Sequence, residues 1–177
     1  MPRASVPWTP GVTRLRPRDL GTSRYTARSS ARDSARGRYL GVPRGEGSPI
    51  GARYFQLVVL ITAGEIDQQY EWSAHEPAGL RAGLEQSVID AVKYDKDVKG
   101  LADKDATLIR FGRALFREHK VTSEPWAKMV DEFGRQRTVE IMALMGDYFT
   151  VGMMMNAVDQ HLPPQRQPLL PPPTRGR

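Results

Sequence analysis

The chain has 177 residues, of which 40% are hydrophobic and 26% charged, the composition of one ordinary globular domain with tails. It contains no cysteine, which excludes disulfides, thiolate metal sites and a cysteine nucleophile. No apolar run reaches the roughly 18–20 residues that a membrane-spanning helix needs.

The formal charge of +6 is unevenly spread. Residues 1–50 hold ten Arg and three acids, a charge of +7, whereas residues 51–177 hold 16 Lys and Arg against 17 Asp and Glu, a charge of −1. The basicity therefore belongs to a Ser-, Gly- and Pro-rich leader. Its few large apolar residues keep no period of 2 or 3.6, so it lacks the burial needed to offset chain entropy, and disorder is expected over 1–50. An Arg-rich, acid-poor leader reads as a transit peptide, as a polyanion-binding arm or as a solvated extension. It has no continuous apolar stretch of the secretory kind. Residues 162–177 contain six prolines, which predicts polyproline II or a disordered tail. Leu169 and Leu170 could dock on the domain or remain free.

Between the tails, residues 51–161 read as all-α. The nearly continuous apolar run over 54–63 predicts a buried helix, because no alternating segment elsewhere could pair with it as a strand. Ile66, Tyr70 and Ala74 lie at i, i+4, i+8 on a second helix over 65–74. Pro77 then marks a break or a new first turn, and Gly83 ends a short helix over 77–82. Ser87 with Asp90 is a weak capping pattern before a helix over 88–94. Asp103 or Asp105 opens a longer helix to about His119, with Leu108, Ile109, Leu115 and Phe116 on its face and basic residues toward its end. Ser123, Glu124 and Pro125 begin the next helix, which Gly134 closes. The last helix, over 136–160, carries Val139, Met142, Met145, Phe149 and Met153 on one face. Being apolar nearly all round in its second half, it is expected to be central or at a subunit contact.

One stretch carries most of the polar chemistry. In residues 68–77, Glu71 and His75 are four apart and share a helix face. A carboxylate beside an imidazole favours the imidazolium and makes a workable acid–base pair. The same spacing also describes a structural ion pair. Gln68 lies one turn earlier and can donate or accept, while Tyr70 and Trp72 could wall a pocket. Asp147 and Tyr148, in the apolar last helix, could line that pocket or form a satisfied buried pair. His75, His119 and His161 are too scattered to form a metal-ligand cluster, so no metal is expected. Gly45-Glu46-Gly47 lacks the surroundings of a phosphate loop.

The stretch QYEWSAHEP over 69–77, followed by Gly79-Leu80 and Ala82-Gly83-Leu84, resembles the carboxymuconolactone decarboxylase-like family. That all-helical superfamily also contains alkyl hydroperoxidase D. Further similarity lies in residues 88–91, in 106–115 with Phe111-Gly112-Arg113, in Phe133-Gly134, and in 139–148 with Leu144-Met145-Gly146-Asp147-Tyr148. The resemblance runs from about Tyr54 to Leu162 in family order, and it implies an alkyl hydroperoxidase D-like helical bundle. The peroxidase branch uses Cys-x-x-Cys, a later His and an upstream Glu. Those positions fall here on Gln68, Glu71, His75 and Gln56, so thiol chemistry is absent. Cysteine-free relatives usually carry Arg-Glu-Leu where this chain has Phe55-Gln56-Leu57, and Gln cannot transfer a proton. The family also has helices upstream that the leader does not resemble.

What the resemblance implies is a cofactor-independent lyase acting on a small carboxylated lactone or keto acid. His75 would be the general acid–base and Glu71 its partner, with Gln68, Trp72, Tyr70, Gln56 and Tyr148 binding substrate. The other reading is a degenerate, non-catalytic helical oligomer or binding protein. A homo-oligomer is expected, with neither membrane nor nucleic acid as partner. The expected location is the cytoplasm, or the mitochondrial matrix if the leader is a transit peptide.

Overall fold

The computed structural model describes residues 47–172. Within them the protein is all-helical, with six α-helices and no strand among the described residues. The first, α1 (Gly51–Glu65), starts after a tight turn in which Gly51 N donates to Ser48 O. Every residue from 57 to 64 is buried. A helix with no wet face must be surrounded: α1 packs chiefly against four of the other five helices, and its Tyr54 meets Phe133 of the remaining one edge-on at 5.3 Å. The disorder expected over 1–50 falls, for 1–46, outside the described residues.

Helix α1 ends where Asp67 takes a left-handed conformation (φ 52°), and α2 (Gln69–Arg81) begins at once. The apolar pattern does not mark this stop, and the expected helix over 65–74 spans it. Asp is among the few non-glycine residues that tolerate this region, so it ends a helix without a glycine signal. Pro77 does not break the chain either: it lies inside α2. Its missing amide removes one backbone bond, but Trp72, Glu76 and Gly79 are buried on both sides of it, which ties both halves of α2 to the core. At Gly79 a Cβ would meet Gln56 Cβ and Leu60 Cδ1 at 3.6 Å and Leu84 closer still. Glycine there lets α2 approach α1 beside Gln56.

Next come α3 (Gln86–Lys93) and α4 (Asp103–Arg113). The N-cap of α3 is Glu85 rather than Ser87, and it makes no side-chain cap bond. Helix α4 runs into a π-helical turn over Ala114–Glu118, which His119 ends at φ 54°. Helices α5 (Ser123–Phe133) and α6 (Arg135–Ala157) meet at Gly134, where buried Thr138 donates to Gly134 O or Met129 O. The inner face of α6 is Ile141, Leu144, Met145, Tyr148 and Val151. Of the stripe Val139, Met142, Met145, Phe149 and Met153, only Met145 is buried and Val139, Phe149 and Met153 are exposed, so that face is not central within the single chain. A helix apolar on both sides gives the periodicity no contrast from which to choose a face.

Three arginines tie the helix ends together. Arg53 makes a bidentate pair with buried Asp105 (2.7 and 2.8 Å), pairs with Glu85 and donates to Gly83 O. This joins α1 to the α2–α3 turn and the first turn of α4. Arg117 spans Glu65 and Asp95, and Arg113 donates to the Ala91 and Lys96 carbonyls. The basic end of the α4 region thus meets carboxylates and carbonyls of neighbouring segments. The C-terminal tail is placed through Pro172, where Leu170 is buried, so disorder over 162–172 is not what the structure has. Residues 173–177 lie outside the described residues.

Arg53→Met strands the Asp105 carboxylate in the core and is expected to cost about 3 kcal/mol, read by urea unfolding. The Arg53 hydrogen bond also holds the Glu85 carboxyl below its ordinary 4.5. Its stabilisation is present above that value and lost as pH falls through the depressed one. The wild type therefore loses stability relative to Glu85→Gln as the pH falls below 4.5 and through the depressed value. The difference is small, because the pair is solvent-screened.

Candidate active site

The i, i+4 spacing on α2 puts Glu71 and His75 on one flank, and the close approach at Gly79 brings that flank to the start of α1. Glu71 Oε2 lies 3.3 Å from His75 Nε2. Gln56 Oε1 lies 2.7 Å from His75 Nδ1. Two aromatic rings close around this line: His75 meets Tyr148 edge-on at 5.4 Å and Phe55 at 6.2 Å, and Phe55 meets Tyr148 edge-on at 6.0 Å. The side chains of His75 and Glu71 keep 18% and 11% of their surface exposed, so the pair sits in the bundle wall with limited access to water.

Both imidazole nitrogens thus face side-chain oxygens. A doubly protonated ring donates to both and leaves no polar atom unpaired. With the Gln56 amide turned over, its NH₂ donates to Nδ1, and a neutral ring carrying its proton on Nε2 is served equally. A glutamate at position 56 could not donate in this way while ionised. The amide therefore accommodates either protonation state of His75, although it carries no proton itself.

The other expected substrate contacts are placed elsewhere. Gln68 caps α2: its Oε1 accepts from Tyr70 N at 2.6 Å and Glu71 N at 3.4 Å, while its Nε2 donates to Asn156 Oδ1 at 2.9 Å. Gly152 on α6 leaves room for it, with an added Cβ 3.2 Å from Gln68 Cγ. Trp72 is fully buried, its Nε1 donating to Glu76, whose carboxylate also receives Lys93 at 2.9 and 3.0 Å. It is a core residue rather than a pocket wall. Tyr70 lies under the Arg166 guanidinium of the tail, at 5.6 Å. Of the expected set, Gln56, Glu71, His75 and Tyr148 come together, whereas Gln68, Tyr70 and Trp72 do not join them.

Sequence reasoning missed Phe55, which completes the ring cluster, and Asn156, which holds Gln68. No local signal marks Phe55, since consecutive residues do not share a helix face and its ring meets His75 across two helices. A cavity of about 510 Å³ lies between the α1–α2 turn and the end of α6, lined by Asp67, Gln68, Asn156, Asp159 and His161 among others. His75 and Glu71 do not line it. No group of three or more acids and histidines suited to a metal occurs among the described residues. No described helix is long and apolar enough to cross a membrane. Comparison of the chain with protein-family models, curated proteins and solved structures gives no match.

Gln68→Ala is expected to lower unfolding stability by about 1–2 kcal/mol, through loss of the cap and of the bond to Asn156. Circular dichroism in urea checks this. A variant as stable as the wild type would return Gln68 to the list of substrate contacts.

Proposed function

We propose that this chain is a cofactor-independent lyase similar to the carboxymuconolactone decarboxylases, working on a small carboxylated lactone or keto acid. The observation that supports this reading is the line Glu71–His75–Gln56 with Phe55 and Tyr148 against the ring. An imidazole bracketed by a carboxylate and an amide, with limited water access, is fixed in orientation and able to carry a proton. In the reaction, the bond between the carboxylate carbon and its neighbour breaks and carbon dioxide leaves. The electron pair moves into the conjugated carbonyl, which is why the substrate serves as its own electron sink. His75 then delivers a proton to the carbanionic carbon, Glu71 balances the ring charge, and water restores the proton. Gln56 is a positioning residue. Thiol peroxidase chemistry is outside this reading, as the chain has no cysteine.

The outward apolar residues of α6, Val139, Phe149, Met153 and Met154, with Val158 just past its end, favour a second reading. In it the chain is a non-catalytic helical oligomer that keeps the family likeness without its activity.

Carbon dioxide release from a panel of carboxylated lactones and β-keto acids separates the two. On the lyase reading, the wild type turns over at least one of them. His75→Ala then loses about 100-fold or more in kcat with an unaltered helical spectrum. No turnover across the panel, combined with concentration-dependent self-association in sedimentation, favours the second reading. Full activity in His75→Ala contradicts the first.

A further inference from the structure

The C-terminal tail lies against a second flank of α2. Gln69 and Ser73 form their own i, i+4 pair, offset by two residues from Glu71 and His75 and therefore turned about 200° around the helix. That flank holds an extended piece of chain by its backbone. With its amide oriented to satisfy every neighbour, Gln69 donates to Leu170 O at 2.8 Å and accepts from Leu170 N at 3.1 Å. The same oxygen takes Leu169 N at 2.7 Å and the Ser73 hydroxyl at 2.8 Å. Ser73 Oγ in turn lies 3.3 Å from Leu169 N. A side-chain amide that pairs with both the N–H and the C=O of one residue does what a neighbouring strand does in strand addition. It recognises extended backbone without reading that residue's side chain.

Selectivity comes from the surroundings. Leu170 is 8% exposed and belongs to the hydrophobic core, and Leu169 packs against that core. Proline on either side, Pro168 and Pro171, holds the pair extended at little entropic cost. Arg166 adds a cation–π contact to Tyr70. Backbone pairing at Gln69 and Ser73, burial of Leu170 and the Arg166–Tyr70 contact thus hold one stretch of tail along the N-terminal part of α2.

We propose that the Gln69–Ser73 flank of α2 is a peptide-binding groove for an extended Pro-Leu-Leu-Pro segment, filled in the isolated chain by its own residues 168–171. A tethered ligand of this kind competes at an effective concentration in the millimolar range. The groove is therefore closed to weak external peptides until the tail is released.

The test uses the full chain and a fluorescein-labelled peptide of residues 164–172, PQRQPLLPP, read by anisotropy. Leu170→Asp cannot bury its carboxylate and frees the groove, so it is expected to bind the peptide at least tenfold more tightly than the wild type. Adding Gln69→Ala removes that gain, and a peptide with Asp in place of the second Leu binds neither protein. Leu170→Ala, which introduces no charge, gives the same order with a smaller gain should the Asp variant fail to fold. Equal peptide affinity in the wild type and both Leu170 variants would overturn the proposal. So would a gain that survives Gln69→Ala.

Discussion

The whole arrangement follows from the burial of α1. Residues 57–64 leave no side of that helix to water, so neighbouring helices must cover it all round. Polar side chains can then leave α1 only near its ends or turn back on the helix itself. Arg53 goes to Asp105 and Glu85, Glu65 goes to Arg117, and Thr62, in the middle, bonds Val58 O. Gln56, just before the sealed run, meets His75. The site is thus built at the place where the most hydrophobic helix first permits a polar group.

Helix α2 divides its surface among several tasks. One flank carries Glu71 and His75 toward α1 and the Tyr148 ring of α6. The other carries Gln69 and Ser73 toward the tail. Between them, Trp72 and Glu76 are fixed by Lys93 on α3. At the start of the helix, Gln68 ties it to Asn156 on α6. This division explains why Pro77 is tolerated: packing and side-chain bonds on both sides of it outweigh the single backbone bond it removes. It also explains why so polar a helix is stable, since its buried carboxylate Glu76 is paired with Lys93 and the Trp72 indole.

The all-helical class and most helix positions were legible because apolar run length and 3.6-residue spacing report burial directly. The buried helix over 54–63 corresponds to α1, and the Glu71–His75 pairing follows from spacing alone. Three features were less legible, for physical reasons. Asp67 and Asp159 end helices in the left-handed conformation, and aspartate gives no stop signal as plain as glycine does. The wet and dry faces of α6 are both apolar, so its periodicity left a central place and a subunit contact equally open. The third concerns side chains whose partners are remote in sequence. Gln68 and Trp72 looked available for substrate because Asn156 lies 88 residues from Gln68, and the Glu76 that Trp72 meets is itself fixed by Lys93. The docked tail was left open for the same reason, as nothing local marks Gln69 as a partner for Leu170.

The claim on which the account turns is that His75 is held at both nitrogens, by Glu71 and by Gln56, inside the bundle. Long-range nitrogen–proton NMR correlation of the His75 ring tests it directly. The account predicts that Gln56→Ala moves the Nδ1 resonance and Glu71→Gln moves Nε2, each leaving the other nearly in place. Ring resonances indifferent to both substitutions, or a ring exchanging freely with water, would contradict it.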